Sequence, residues 1–225
     1  MPRRVYGQFC GLARAFDVVG ERWTALLLRE LSGGPRRYSE LAKNLGGIGT
    51  SLLASRLRAL ERDDLVRRTT VGNGPSQLYE LTQDGVELAA SLAPLAQWGL
   101  RRLGVPGRDE AFNLSSLIWF VRATANADAA VGLHDIYEVH VGGHVLHVLV
   151  HDGSVAIEAG PAPLRPDLAV HAPPQAFAAI AAGRLSPWVA LSDGVLTMTG
   201  DLATLRRCMR ILAPHASASA RTVHS

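Results

Sequence analysis

The sequence predicts an α+β chain in two parts: helices ending in a two-stranded ribbon at the front, and one sheet with helices packed on one side at the back. Three observations carry this. Through 12–31, 40–60 and 83–103, apolar residues recur every three or four positions, the spacing of helices with one buried stripe. Short β-prone runs flank turn-forming residues at 71–76 and at Gly142-Gly143. Charge divides too: residues 1–105 hold 15 Lys+Arg against 10 Asp+Glu, net +5, whereas 106–225 hold 8 against 10, net −2. A break at 104–109 separates an expected domain 1–105 from a second, 106–213, with 214–225 as a flexible tail.

In the front half, 12–19 and 23–31 read as helices broken at Gly20-Glu21. Ser39 is expected to cap a helix over 40–45 whose Leu41 and Leu45 face inward, and Gly46-Gly47 ends it. After Ile48 in the turn, Thr50 or Ser51 opens a second helix buried along Leu53, Leu57 and Leu60. Its other faces carry Ser51, Ala54, Ser55, Arg56, Arg58 and Arg62. Small hydroxyls let a helix approach a groove floor, and arginine reaches phosphate or the acceptor edge of guanine. Strands over 65–70 and 77–81 then form a hairpin, and Thr82 caps a long helix over 83–103, which Pro94 should kink or divide. This order is that of a winged helix-turn-helix. Arg67, Arg68 and the wing tip at Asn73 are expected at flanking phosphates, and the basic front half fits DNA contact confined there. The same order also occurs in small enzymes and interaction modules, where the arginines would be a solvated face.

The residues Cys10 to Trp23 and Leu26 to Leu31 resemble the HxlR family of bacterial transcriptional regulators. The likeness continues through Arg37 to Leu41, Gly47-Ile48, Leu53, Arg56-Leu57, Leu60-Glu61, Leu65-Val66 and Tyr79 to Thr82 with Gly85, covering roughly 6–103. It implies a homodimer that binds a double-stranded DNA operator, with the N-terminal helix and the helix after the wing as dimer interface. Two recognition helices would then lie one duplex turn apart, roughly 34 Å. The DNA-binding candidates are Arg37, Ser39, Thr50, Ser51, Ser55, Arg56, Arg58, Arg67, Arg68 and Asn73. If Arg56 reads a base, its removal should cost about 1 to 3 kcal/mol. The resemblance also implies that some relatives use a cysteine near Cys10 as a redox switch; burial as a small hydrophobe is the other reading.

In the back half a helix is expected from Asn113 through Leu114, Leu117, Ile118 and Val121. Counting outward from Gly142-Gly143 pairs Val141 with His144, Val139 with Leu146 and Tyr137 with Val148, which makes one face apolar. Ile136, Glu138, His140, Val145, His147, Leu149 and His151 fall on the other. Strands at 155–158, 168–171 and 194–199, a helix from Pro173-Pro174 to Gly183 and a last helix from Asp201 complete the layer. Val155 to Gly160, Pro166 to Val170, Phe177 with Ile180 and Gly183, and Ser192 to Met198 with Gly200-Asp201 are similar to the sterol carrier protein type two fold, over roughly 112–213. That likeness implies an apolar pocket between sheet and helices for a lipid-like small molecule. Its expected lining is Leu117, Trp119, Phe120, Val139, Leu146, Val148, Phe177, Trp188, Leu196, Met198 and Met209, residues that would serve equally as core.

All eight histidines lie after residue 133. In the hairpin register Glu138 opposes His147, so a Glu138, His147 and His151 zinc cluster is conceivable, against solvated imidazoles on a strand face; no metal or other cofactor is assigned. Cys10 and Cys208 fall in different domains and give no disulfide framework. No nucleophile elbow, phosphate loop or dinucleotide fingerprint is present, so an enzyme is not expected. No 18-residue apolar run exists, and no membrane partner is expected. The expectation is a cytoplasmic, homodimeric DNA-binding regulator, a repressor gated by an apolar effector. A redox regulator acting through Cys10 and a lipid or acyl carrier are the alternatives.

Overall fold

The computed structural model describes residues 5–70, 77–103 and 113–212. The chain divides into two compact units, Met1–Leu92 and Ala93–Ser225. The first contains α1 (Gly11–Val19), α2 (Thr24–Leu31), β1 (Arg36–Arg37), α3 (Tyr38–Asn44), α4 (Thr50–Arg62), β2 (Val66–Thr70), β3 (Gln77–Leu81) and α5 (Gln83–Ser91). Leu53, Leu57 and Leu60 of α4 are buried with Leu27, Leu28 and Leu31 of α2 and Leu41 of α3 in one core. Each such leucine contributes roughly 1.5 to 3 kcal/mol of burial. Packing therefore holds these short helices, which would be marginal alone.

Two details differ from expectation. Arg37, not Ser39, is the residue before α3, and its backbone N–H donates to the Glu40 carboxylate at 2.6 Å. The carboxylate performs the capping task from three residues inside, so Ser39 lies exposed within the first turn. The ribbon also has a third strand, because β1 pairs with β3 through Arg36 with Tyr79 and Arg37 with Leu78. Two arginines after Gly-Gly-Pro carry no strand signal. Thr82 caps α5 as expected, accepting from the Gly85 N–H at 3.1 Å while donating to the Asp64 carbonyl at 2.6 Å. Gly85 is needed there: a Cβ would lie 2.0 Å from the Leu65 carbonyl oxygen. The wing turn at 71–76, with Asn73, lies outside the described residues.

The second unit opens with α6 (Ala93–Leu100). The helix expected over 83–103 is thus divided, with Pro94 at the second position of the new helix, where a missing N–H leaves nothing unpaired. There follow α7 (Leu114–Thr124), a 3-10 turn at Asp128–Ala130, β4 (Ile136–Val141), β5 (His144–His151), β6 (Ser154–Ala159), β7 (Leu168–Ala172), α8 (Pro174–Ala181), α9 (Pro187–Ser192), β8 (Thr197–Thr199) and α10 (Leu202–Leu212). The five strands lie in the order β6-β5-β4-β7-β8, with only β4 and β7 parallel. Gly142 and Gly143, at φ +56° and +82°, make the tight turn, and the register is the one counted from it: Val141 with His144, Val139 with Leu146, Tyr137 with Val148. The apolar face packs on Leu117, Ile118 and Val121 of α7 and on Leu205, Cys208 and Ile211 of α10.

The opposite face is not simply solvated. In the 160–167 connection, Ala162 donates its N–H to Glu138 at 2.7 Å, and the Gly160 carbonyl lies 3.1 Å from Nδ1 of His147. His147 is consequently buried. Among the described residues no helix is long and apolar enough to cross a membrane.

Candidate functional site

The front unit presents α4 as its most chemically distinct surface. Thr50, Ser51, Ser55, Arg58 and Arg62 are exposed along it, opposite the leucine stripe. Its first turn is tied to α3 by the Tyr38 hydroxyl, which donates to the Thr50 carbonyl at 2.6 Å. Short hydroxyl side chains thus stand at the N-terminal end of a helix held on two sides, an arrangement that can meet base edges or phosphate. Arg56 departs from the outward placement its spacing predicts. Its Nη2 meets the Glu21 carboxylate at 2.6 Å and its Nε donates to the Arg22 carbonyl at 3.2 Å, leaving the side chain 19% exposed.

On the ribbon, Arg67 pairs with Glu80 at 2.6 Å but stays 65% exposed, so it is held rather than withdrawn. Arg68 pairs with Glu61 of α4 and lies over the Tyr79 ring, 5.5 Å from its centroid. Arg37 is exposed where β1 meets α3. One buried carboxylate was not legible beforehand: Glu30 is fully buried, accepting from Arg29 at 2.8 Å and from the Asn44 side-chain amide at 3.1 Å. It ties α2 to the end of α3.

In the second unit, the expected lining residues fall into two groups. Leu117, Trp119, Val139, Leu146, Val148 and Leu196 are buried. Phe120, Phe177, Trp188, Met198 and Met209 are half-buried at the edge of the apolar layer, with Leu196 and Met209 joining a smaller cluster around Ile180 and Ala190. A cleft of about 340 Å³ lies elsewhere, lined by His140, Gly142, Gly143, His171, Ala172, Pro173, Val195 and Thr197. It shares no residue with the expected lining, and its open, imidazole-bearing wall is not what an apolar effector requires.

The conceivable zinc cluster does not assemble. Glu138 bonds His140 Nε2 at 2.7 Å, and His151 packs edge-on against His134 at 4.6 Å between centroids. Among the described residues no three His, Cys, Asp or Glu side chains are placed to hold a metal ion. The Ala162 N–H, then His140, holds the Glu138 carboxyl below its ordinary range.

Cys10 is exposed immediately before α1 in the single chain, not packed there as a small hydrophobe. Cys208 is buried as expected, and burial pushes its thiol up to about 12, where it is inert. Beside it lies a polar group the sequence did not signal. Asp135 accepts from Arg207 Nε at 2.7 Å and Nη2 at 3.0 Å, and from the Tyr137 hydroxyl at 2.8 Å. Arg207 also donates to Thr204, whose hydroxyl reaches Asp201 at 2.9 Å. Residues 72 positions apart thereby lock α10 to the start of β4.

Residues 18–105 match the HxlR-like helix-turn-helix family, and residues 117–213 match the SCP-2 sterol transfer family. Over 100 residues the chain is 43% identical to an HTH-type transcriptional regulator of Mycobacterium tuberculosis, covering 44% of this chain and 61% of that one. It is 33% identical to the HTH-type transcriptional regulator YodB of Bacillus subtilis, over 37% of this chain and 76% of YodB. The solved reduced form of YodB matches at 30% identity and a TM-score of 0.38, covering 44% of this chain and 99% of that one.

Proposed function

The chain belongs to the HxlR-like helix-turn-helix family, and from that premise we propose that it is a homodimeric, DNA-binding transcriptional repressor whose second unit binds an apolar, lipid-like effector. The observation that carries the reading is the exposed face of α4, where Thr50, Ser51, Ser55 and Arg58 stand clear of the packed leucine stripe. In this reading α4 enters the major groove, while Arg37, Arg67 and Arg68 meet flanking phosphates. Ser39 and Asn73 remain candidates beside them. The exposed apolar residues Phe9, Leu12 and Phe16 on and before α1 support a dimer, since a second copy would cover them.

The effector part rests on the match of 117–213 to the SCP-2 family and on the half-buried edge of Phe120, Phe177, Trp188, Met198 and Met209. Aromatic and thioether side chains re-pack around varied apolar shapes, so an acyl chain could enter between them. Control is then linkage: an effector that favours one dimer arrangement changes operator affinity, typically 5- to 150-fold, and DNA changes effector affinity by the same factor. Native mass spectrometry of the intact chain should show an apolar molecule bound, and extracting it should shift operator affinity within that range. Bare protein with unaltered DNA binding after addition of fatty acyl chains would remove the effector. A bound acyl chain together with no specific DNA complex would favour a carrier instead.

The exposure of Cys10 favours a second reading, regulation by thiol oxidation. Retention of an oxidant response after Cys10→Ser would remove it.

A further inference from the structure

A side chain of α4 is tied to the α1–α2 corner. Arg56 leaves the middle of α4, turns away from the exposed hydroxyl face and uses its fork on that corner, Nη2 on the Glu21 carboxylate at 2.6 Å and Nε on the Arg22 carbonyl at 3.2 Å. The corner itself has little freedom. A Cβ on Gly20 would lie 2.5 Å from the Phe16 carbonyl oxygen, and that glycine donates its N–H to the same carbonyl at 3.0 Å. Trp23 sits at φ +78°, in the left-handed region that side chains rarely adopt, with its ring against the front core. Glu21 therefore stands between a glycine at which any Cβ would force the Phe16 carbonyl to shift and a tryptophan whose ring packs on the front core.

From this geometry we propose that Arg56 and Glu21 are positioning residues: the pair sets the angle at which α4 meets DNA and passes displacement of α1 to α4, without Arg56 itself touching the duplex. The inference rests on the DNA-binding reading above. Two of the guanidinium's five donors are taken up by the corner, and only 19% of the side chain is exposed, against 65% for Arg67. In the competing arrangement Arg56 swings to a phosphate and Glu21 is only its resting partner. The two arrangements differ in sign. A phosphate contact contributes about 0.9 to the slope of log affinity against log salt, and removing its resting partner would strengthen binding. A strut contributes nothing to that slope, and removing either end weakens discrimination.

The test uses the full chain as wild type, Arg56→Ala, Arg56→Lys, Glu21→Gln and the double variant Glu21→Gln with Arg56→Ala. Each is titrated against a duplex selected from a random pool and against an unselected duplex at several salt concentrations. The ratio of the two affinities cancels the long-range effect of altered charge. We expect that ratio to fall roughly tenfold in Arg56→Ala and Glu21→Gln alike, no further in the double variant, and less in Arg56→Lys, with the salt slope unchanged. A slope lower by about 0.9 in Arg56→Ala, or a selected duplex bound more tightly by Glu21→Gln, would overturn the proposal. Amide hydrogen exchange tests the pair without DNA. In Glu21→Gln, α4 amides should exchange at least about threefold faster while those of α3 stay unchanged. Unaltered α4 exchange would overturn the strut even if a wild-type chain that distinguishes no duplex had already removed the DNA-binding reading.

Discussion

Asp135→Ala is expected to destabilise the second unit by about 3 kcal/mol, the largest single-residue effect on stability that its polar contacts predict. The carboxylate is the common acceptor of Arg207 and Tyr137, so its loss leaves a mostly covered guanidinium and a fully buried hydroxyl without their partner. Tyr137→Phe, which removes one neutral donor, should cost about 1 kcal/mol. The Arg207 guanidinium, followed by the Tyr137 hydroxyl, holds the Asp135 carboxyl below its ordinary range against the opposing pull of burial. A carboxyl depressed in the folded state contributes stability above its unfolded value of about 3.9, and that contribution disappears as pH falls through the lower folded value. Thermal unfolding should therefore show wild type losing stability below about pH 4, and Asp135→Asn losing less over the same interval. Parallel curves would mean that the contact with Arg207 carries little of the unit's stability.

Ser55→Glu is expected to lower operator affinity by roughly 100-fold or more while leaving the melting temperature unchanged. Ser55 is exposed on α4, and glutamate is a good helix former, so the fold has no reason to respond. The proposed groove does, because the new carboxylate would face phosphate oxygens. Fluorescence anisotropy with the intact chain reads both wild type and variant at fixed salt. An affinity within twofold of wild type would place the DNA contact somewhere other than this face of α4.

Much of the architecture was legible because local chemistry decides it. The Gly142-Gly143 turn fixed the pairing of β4 and β5 residue by residue, since a one-step slip would turn Val139 and Leu146 out of the core. Pro94 marked the division between α5 and α6, and Leu53, Leu57 and Leu60 marked the buried side of α4. What escaped depends on partners distant in sequence. Arg56 looked like an outward cation until Glu21, 35 residues earlier, took it. His147 looked like a solvated strand residue, but the 160–167 connection covers it. Asp135 and Arg207, 72 residues apart, carry no local signal at all. α9 and the third ribbon strand, β1, are short enough that tertiary contacts, not propensity, define them.

Competitive titration of the intact chain decides whether the front unit reads DNA sequence. The two ligands are a duplex from the promoter upstream of its own coding region and a scrambled duplex of equal length, compared at salt concentrations spanning the physiological range. Affinity for the promoter should be at least about 10³-fold tighter than for the scramble at physiological salt, with both weakening as salt rises. Equal affinity for the two duplexes across that range would contradict sequence reading by the front unit.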